Sequence, residues 1–257
     1  MDLIYSIILG VIEGFTEFLP VSSTGHLILA SRLFGIGQTD FTKTFEVVIQ
    51  FGAILSVVVL YWSVLRKNIH LIGKVIFAFI PTAIVGLLLY DFIKNVLFAE
   101  SVTVWALLIG GVVLIIFELL RKDDGQTVEL DQVSYKQAFW IGVSQSIAII
   151  PGVSRAAATI LGGMIVGLRR KVIVEFSFLL AVPTMAAASG LDLLKNMKHI
   201  SDGGFHVLAV GFVVSFLMAI LSIKFLLKVI QKHSFVPFGI YRIILGLVFL
   251  FSLSLIT

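Results

Sequence analysis

The chain has 257 residues, 59% hydrophobic and 13% charged, with a mean hydropathy of +1.10. Soluble domains are close to half apolar and about a quarter charged, so this composition excludes a water-soluble fold and indicates a polytopic α-helical membrane protein. The net charge of +4 is no nucleic-acid signal, since the basic residues fall in short interhelical stretches, and the absence of cysteine excludes disulfides, thiolate nucleophiles and Fe–S or zinc–thiolate centres.

In chain order, the first Lys or Arg is Arg32, so no cleavable signal peptide is expected. Residues 2–35 form a long apolar segment interrupted near its middle by LPVSSTGH. Spanning helices are predicted over 43–66, 72–96 and 101–120, each long enough for a hydrocarbon core of about 30 Å. The polar stretch RKDDGQTVELDQVSYK, 121–136, reads as a loop, and Glu118 just before it reads as interfacial. A second interrupted segment, 136–168, breaks at PGVSRAAAT, and further spans are predicted over 171–195, 204–231 and 235–256. At each break Pro and Gly stop one half-helix, and Ser or Thr can cap the next.

Charge decides how the two broken segments lie. If both cross fully, the loops hold 8 Lys/Arg on one side and 9 on the other; if both are re-entrant hairpins, the split is 12 against 5. The positive-inside rule favours the re-entrant arrangement, with Arg66, Lys74, Lys122, Lys171 and Lys232 among the cytoplasmic residues and both termini outside. The order is then hairpin, three spans, hairpin, three spans: a single membrane domain built of two inverted units, about 1–121 and 136–257. Faint internal similarity agrees. Gly10-Val11 with Glu13 corresponds to Gly142-Val143 with Gln145, Pro20…Ser23 to Pro151…Ser154, Glu46 to Glu175, and Phe79-Ile80-Pro81 to Phe235-Val236-Pro237. Inverted repeats with broken helices place a polar site between the breaks.

A half-helix that starts within the membrane presents unpaired N–H groups and a positive dipole end, so two such starts make an anion site. Ser22, Ser23 and Thr24 mark the first start and Ser154 the second. Arg155, alone among 31 otherwise uncharged residues, adds a fork suited to phosphate oxygens, a structural pairing with Glu13 or Glu17 being its alternative. Glu13 and Glu17 share a helical face, and a divalent cation, Mg²⁺ or Ca²⁺, would relieve their repulsion. His26 follows Ser23 by three residues, which suits a base beside a nucleophile or a base activating water, against a plain structural role. Glu46 and Gln50 are candidates to support the site from behind, with packing polarity the equal reading; Gln145, a weaker candidate for the same role, carries less weight, as do Glu175, Tyr241 and Arg242.

EGFTEFLPVSSTGH and PGVSRAAATI, with FEVVIQFGAI, EFSFLLAVP and FVPFGIYR, closely resemble the bacterial undecaprenyl-diphosphate phosphatase family of the bacitracin-resistance type. The resemblance implies a plasma-membrane hydrolase that removes one phosphate from the C55 isoprenyl diphosphate carrier, in a re-entrant, inverted fold opening to the extracytoplasmic side. It implies metal and diphosphate handling by Glu13 and Glu17, catalysis by Ser23, His26, Glu17 and Arg155, and substrate contacts from Ser22, Thr24, Ser154 and Arg155. It also implies membrane lipid as the setting, bacitracin as a competitor for the substrate, and a homodimer. Where that family's second motif continues Ser-Arg-Ser-Gly, this chain has Ala156 and Ala157. A transporter or lipid flippase for a phosphorylated polyprenyl lipid would use the same architecture, and fold alone does not separate it from an enzyme.

Overall fold

A computed structural model describes residues 2–37, 39–89, 99–121, 125–126, 129–196 and 204–254, the side chains of 191–196 and 254 excepted. Among the described residues the chain is all-helical, with eleven α-helices. The first broken segment gives α1 (Leu3–Thr16) and α2 (Ser23–Leu33), and α3 (Asp40–Leu60), α4 (Trp62–Lys67), α5 (Ile69–Leu88) and α6 (Glu100–Leu120) follow. The second broken segment gives α7 (Tyr135–Gln145) and α8 (Arg155–Ile165), before α9 (Arg170–Asn196), α10 (Phe205–Val229) and α11 (Val236–Ser254). Six helices, α3, α5, α6, α9, α10 and α11, are long and apolar enough to cross a membrane. The expected span 43–66 is divided at Tyr61, where α3 ends and α4 begins. Residues 90–96 of the span predicted over 72–96, and Lys122 of the basic face, lie outside the described residues.

Both breaks form where the sequence places them, and for the same reason. Pro20 and Pro151 deny the helix a donor, and a serine then caps the next half. The Ser22 hydroxyl accepts from the Gly25 N–H at 3.3 Å, and the Ser154 hydroxyl from the Ala157 N–H at 3.2 Å. Both caps have positive φ, 70° at Ser22 and 66° at Ser154, a region a side chain enters at a cost. This shared geometry pairs Ser22 with Ser154, one residue off the Ser23–Ser154 match suggested by the prolines. The same register carries Gly10 onto Gly142, Glu13 onto Gln145, and Ser23 onto Arg155.

Small residues let the helices approach closely, as expected where lipid supplies no hydrophobic drive between them. α1 and α3 both pack on α10, and α7 packs on α5. Gly10 and Gly14 face the backbone of α10 at Gly211 and Ser215, Gly52 faces Phe212, and Gly142 faces the Ala78 carbonyl. Hydroxyls cross these interfaces: Ser6 donates to the Val207 carbonyl at 2.6 Å, Ser215 to Ile49 at 2.7 Å, and Thr82 to Gly142 at 3.1 Å. Phe18 meets Phe178 edge-on at 5.5 Å in the main core. Glu118 is buried rather than surface-lying, bound by Arg170 at 2.8 Å and by the Phe235 N–H at 3.1 Å.

Gly142→Leu is expected to cost about 1–3 kcal/mol, because the added side chain meets fixed backbone. Gly190→Ala, where a Cβ meets nothing within 4 Å, should not lower the unfolding midpoint in SDS titration, because alanine favours a helix over glycine.

Candidate active site

The two half-helix starts share the wall of one cavity of about 570 Å³. Glu17, Ser22, Ser23 and Thr24 line it from the first break, and Ser154 and Arg155 from the second. The rest of the wall is part polar and part apolar: Gln50, Gln145, Thr82, Thr184 and Ser189 lie on it, as do Phe79, Leu87 and Ile149.

Glu17 joins the two breaks. One carboxylate oxygen accepts the Ser23 hydroxyl, and the other accepts Arg155 Nη2 at 3.0 Å. The pair is nearly buried, with side-chain exposures of 10% for Arg155 and 8% for Glu17. Arg155 is fixed further by Nη1, which donates to the Ser177 carbonyl at 2.9 Å and its hydroxyl at 3.3 Å, and by the Phe18 ring, 5.7 Å from Cζ. Its Nε–H is buried without a hydrogen-bond partner. Arg155 thus serves the structural pairing weighed against a functional role and still faces the cavity.

His26 goes elsewhere. Its Nδ1 lies 2.7 Å from the Ser22 carbonyl and its Nε2 2.7 Å from the Tyr241 hydroxyl, with the two rings nearly parallel. A carbonyl can only accept, so Nδ1 carries the proton and, in the neutral ring, Nε2 accepts from Tyr241. The Ser23 hydroxyl is held by Glu17, not by His26, and His26 does not line the cavity. The three-residue spacing makes the two residues neighbours; the Glu17 carboxylate and the tyrosine of α11 decide where each points.

The supporting residues divide. Gln145 is fully buried and donates to Thr82 at 2.9 Å and Thr184 at 3.1 Å, and Gln50 accepts from Ser189 at 2.8 Å. Glu46 is close enough to act electrostatically on Glu13 but does not line the cavity. Glu175 lies 4.0 Å from Lys171, away from the wall. Ser177, Thr82, Thr184 and Ser189 were not singled out from sequence; their only signal is a hydroxyl within a spanning helix. Ala156, 1% exposed, and Ala157, 4%, are packed in and do not line the cavity.

Glu13 is fully buried, and neither of its carboxylate oxygens has a hydrogen-bond partner, an arrangement costly for a bare carboxylate. Among the described residues no three His, Asp or Glu side chains form a metal cluster, so a cage made of protein alone is not built. A hard cation that takes one or two carboxylates and completes its shell with water and phosphate oxygens suits oxygen donors of this kind, but Glu13 does not line the cavity and both Glu17 oxygens are already engaged, by Ser23 and Arg155.

Removing either partner of the buried pair should cost about 3–5 kcal/mol in SDS unfolding, since the other is left unpaired. The double variant Glu17→Ala/Arg155→Ala should lose less than the sum of the singles, by about 1 kcal/mol or more.

The sequence model of the family described as "Bacitracin resistance protein BacA" matches residues 6–248. A protein named undecaprenyl-diphosphatase from Wolinella succinogenes is 52% identical over 257 residues, all of both chains. Proteins of the same name from Persephonella marina and Aquifex aeolicus are 53% and 46% identical, over 97% and 95% of this chain and 98% and 96% of theirs. With six membrane-crossing helices and a match running nearly end to end, this integral membrane protein belongs to the BacA family.

Proposed function

We propose that the protein is an undecaprenyl-diphosphatase, hydrolysing undecaprenyl diphosphate to undecaprenyl phosphate and inorganic phosphate. The observation that carries this reading is Glu17 holding the Ser23 hydroxyl and the Arg155 guanidinium at once, on a cavity wall between two half-helix starts. The end-to-end relatives of that name support it.

The diphosphate sits between the starts, its oxygens met by Arg155 and by first-turn N–H groups of α2 and α8, which have no helical carbonyl to bond. Ser23 Oγ attacks the terminal phosphorus while its proton passes to Glu17. The bond from that phosphorus to the bridging oxygen breaks, and undecaprenyl phosphate leaves with the electron pair. Water then attacks the phosphoserine, the P–Oγ bond breaks, Oγ takes the proton back from Glu17, and both protons of the water stay on the released phosphate. Charge growing on the transferred group is met by donors already in place, usually the largest single term in such catalysis. A divalent cation, were one bound, would be held through Glu13 and Glu17 in exchange for a present partner of Glu17, and would supply further positive charge beside the diphosphate. The apolar side of the cavity suits the first isoprene units, so the lipid never leaves the bilayer.

In detergent, Ser23→Ala and Arg155→Ala should each lower phosphate release from undecaprenyl diphosphate by about 10³-fold, and chelation should lower it in the wild type. Wild-type turnover in all three variants Ser23→Ala, Glu17→Ala and Arg155→Ala would remove the site. Transport needs a second compartment; hydrolysis in detergent does not.

The 12-to-5 charge split supports a site that opens on the extracytoplasmic face of the bacterial plasma membrane, with the two units inverted. Since the chain has no cysteine, single probes are clean. In intact cells an impermeant maleimide should label Lys43→Cys directly and Lys171→Cys only after permeabilisation; the reverse pattern overturns the orientation.

A further inference from the structure

We infer that Arg242 is a positioning residue that sets the two half-helix starts against each other, through the reach of its guanidinium rather than its charge alone. The side chain is fully buried in α11, and among the described residues no carboxylate pairs with it. Backbone carbonyls surround it instead. Nη1 donates to Val153 at 3.0 Å and to Pro20 at 3.4 Å, and Nη2 to Gly152 at 3.0 Å and to Ala106 at 2.9 Å. Pro20 belongs to the first break, Gly152 and Val153 to the second, and Ala106 to α6. One side chain therefore ties both irregular segments to a spanning helix.

Physical chemistry explains the choice of residue. A helix that stops within hydrocarbon leaves carbonyls with no intrahelical donor and no water to replace it. A guanidinium offers donors spread over a rigid plane, whereas an ammonium offers three from a single point, too compact to bridge oxygens on three segments. The fold also clears room for that plane: a Cβ on Gly110 of α6 would collide with the Arg242 guanidinium. The neighbouring Tyr241 grips the first break as well, through His26 and the Ser22 carbonyl. Losing the tie leaves Ser23, Glu17 and Arg155 chemically intact but free to drift, and misplacement by about 1 Å can cost about 10²-fold in rate.

The inference uses the proposed hydrolysis only for one of its three readouts. Full-length wild type, Arg242→Lys and Arg170→Gln are purified and compared in phosphate release, thermal unfolding and backbone hydrogen exchange. Arg170→Gln is the control, since it breaks the Glu118 pair off the cavity wall. Arg242→Lys is expected to lose about 100-fold in kcat, with a thermal midpoint no lower than the control. Exchange should rise about tenfold in peptides covering 20–25 and 151–157 together, and in neither for Arg170→Gln. A kcat within threefold of wild type, or equal exchange changes in both variants, overturns the inference. If Arg242→Lys does not fold, Gly110→Ala, which keeps the arginine and crowds it, decides by the same measures. Wild type without turnover would defeat the proposed reaction alone, and exchange in the two breaks would still decide the positioning.

Discussion

Backbone that departs from a helix among packed helices must find its hydrogen-bond partners within the protein, and this constraint shapes the whole molecule. The chain accepts two such departures, at residues 17–22 and 150–154, and each takes a serine into the positive-φ region, at about 1–3 kcal/mol apiece. Everything around them serves to offset that cost. The serine hydroxyls take N–H groups of the following helices, His26 takes the Ser22 carbonyl, and the arginine of α11 collects carbonyls from both sides. Close helix contacts at Gly14 and Gly142 then hold the half-helices in place from behind.

The site follows from where the departures end. The first residue of each resumed helix stands at a positive dipole end, and those two equivalent positions carry Ser23 and Arg155. Two caps of like geometry are thereby followed by two different groups, a hydroxyl and a guanidinium. Glu17 has no counterpart in the second break, and its two oxygens connect the unlike halves. One turn earlier the units differ again. Gln145 is satisfied by threonines, whereas Glu13 is buried beside Glu17 with no hydroxyl or amide donor.

Much of this was legible in the sequence, for physical reasons. Six uninterrupted apolar runs can be little else than spanning helices, and Pro20, Pro151 and the serines after them mark breaks because proline lacks a donor and serine supplies an acceptor. Arg155 stood out because a lone charge in so apolar a run needs a purpose. Long-range geometry was less legible. The partner that turns His26 away from Ser23 is Tyr241, 215 positions later, and no local spacing encodes it. At the breaks the register slipped by one because prolines were matched, whereas the caps share the register already read for Gly10 with Gly142 and Glu13 with Gln145. Arg242 looked ordinary because its partners are main-chain carbonyls, which every residue has and no sequence pattern marks.

The interleaving of the helices also bears on how the protein is made. The Ser6 hydroxyl bonds a carbonyl 201 positions away, and the glycine face of α1 is shaped to fit α10. A nascent chain emerging from the ribosome therefore threads its first broken segment into the bilayer long before the matching surface has been translated. Until then lipid tails or the insertion machinery must cover that face, so the amino-terminal portion waits, incomplete, for the carboxy-terminal portion to arrive.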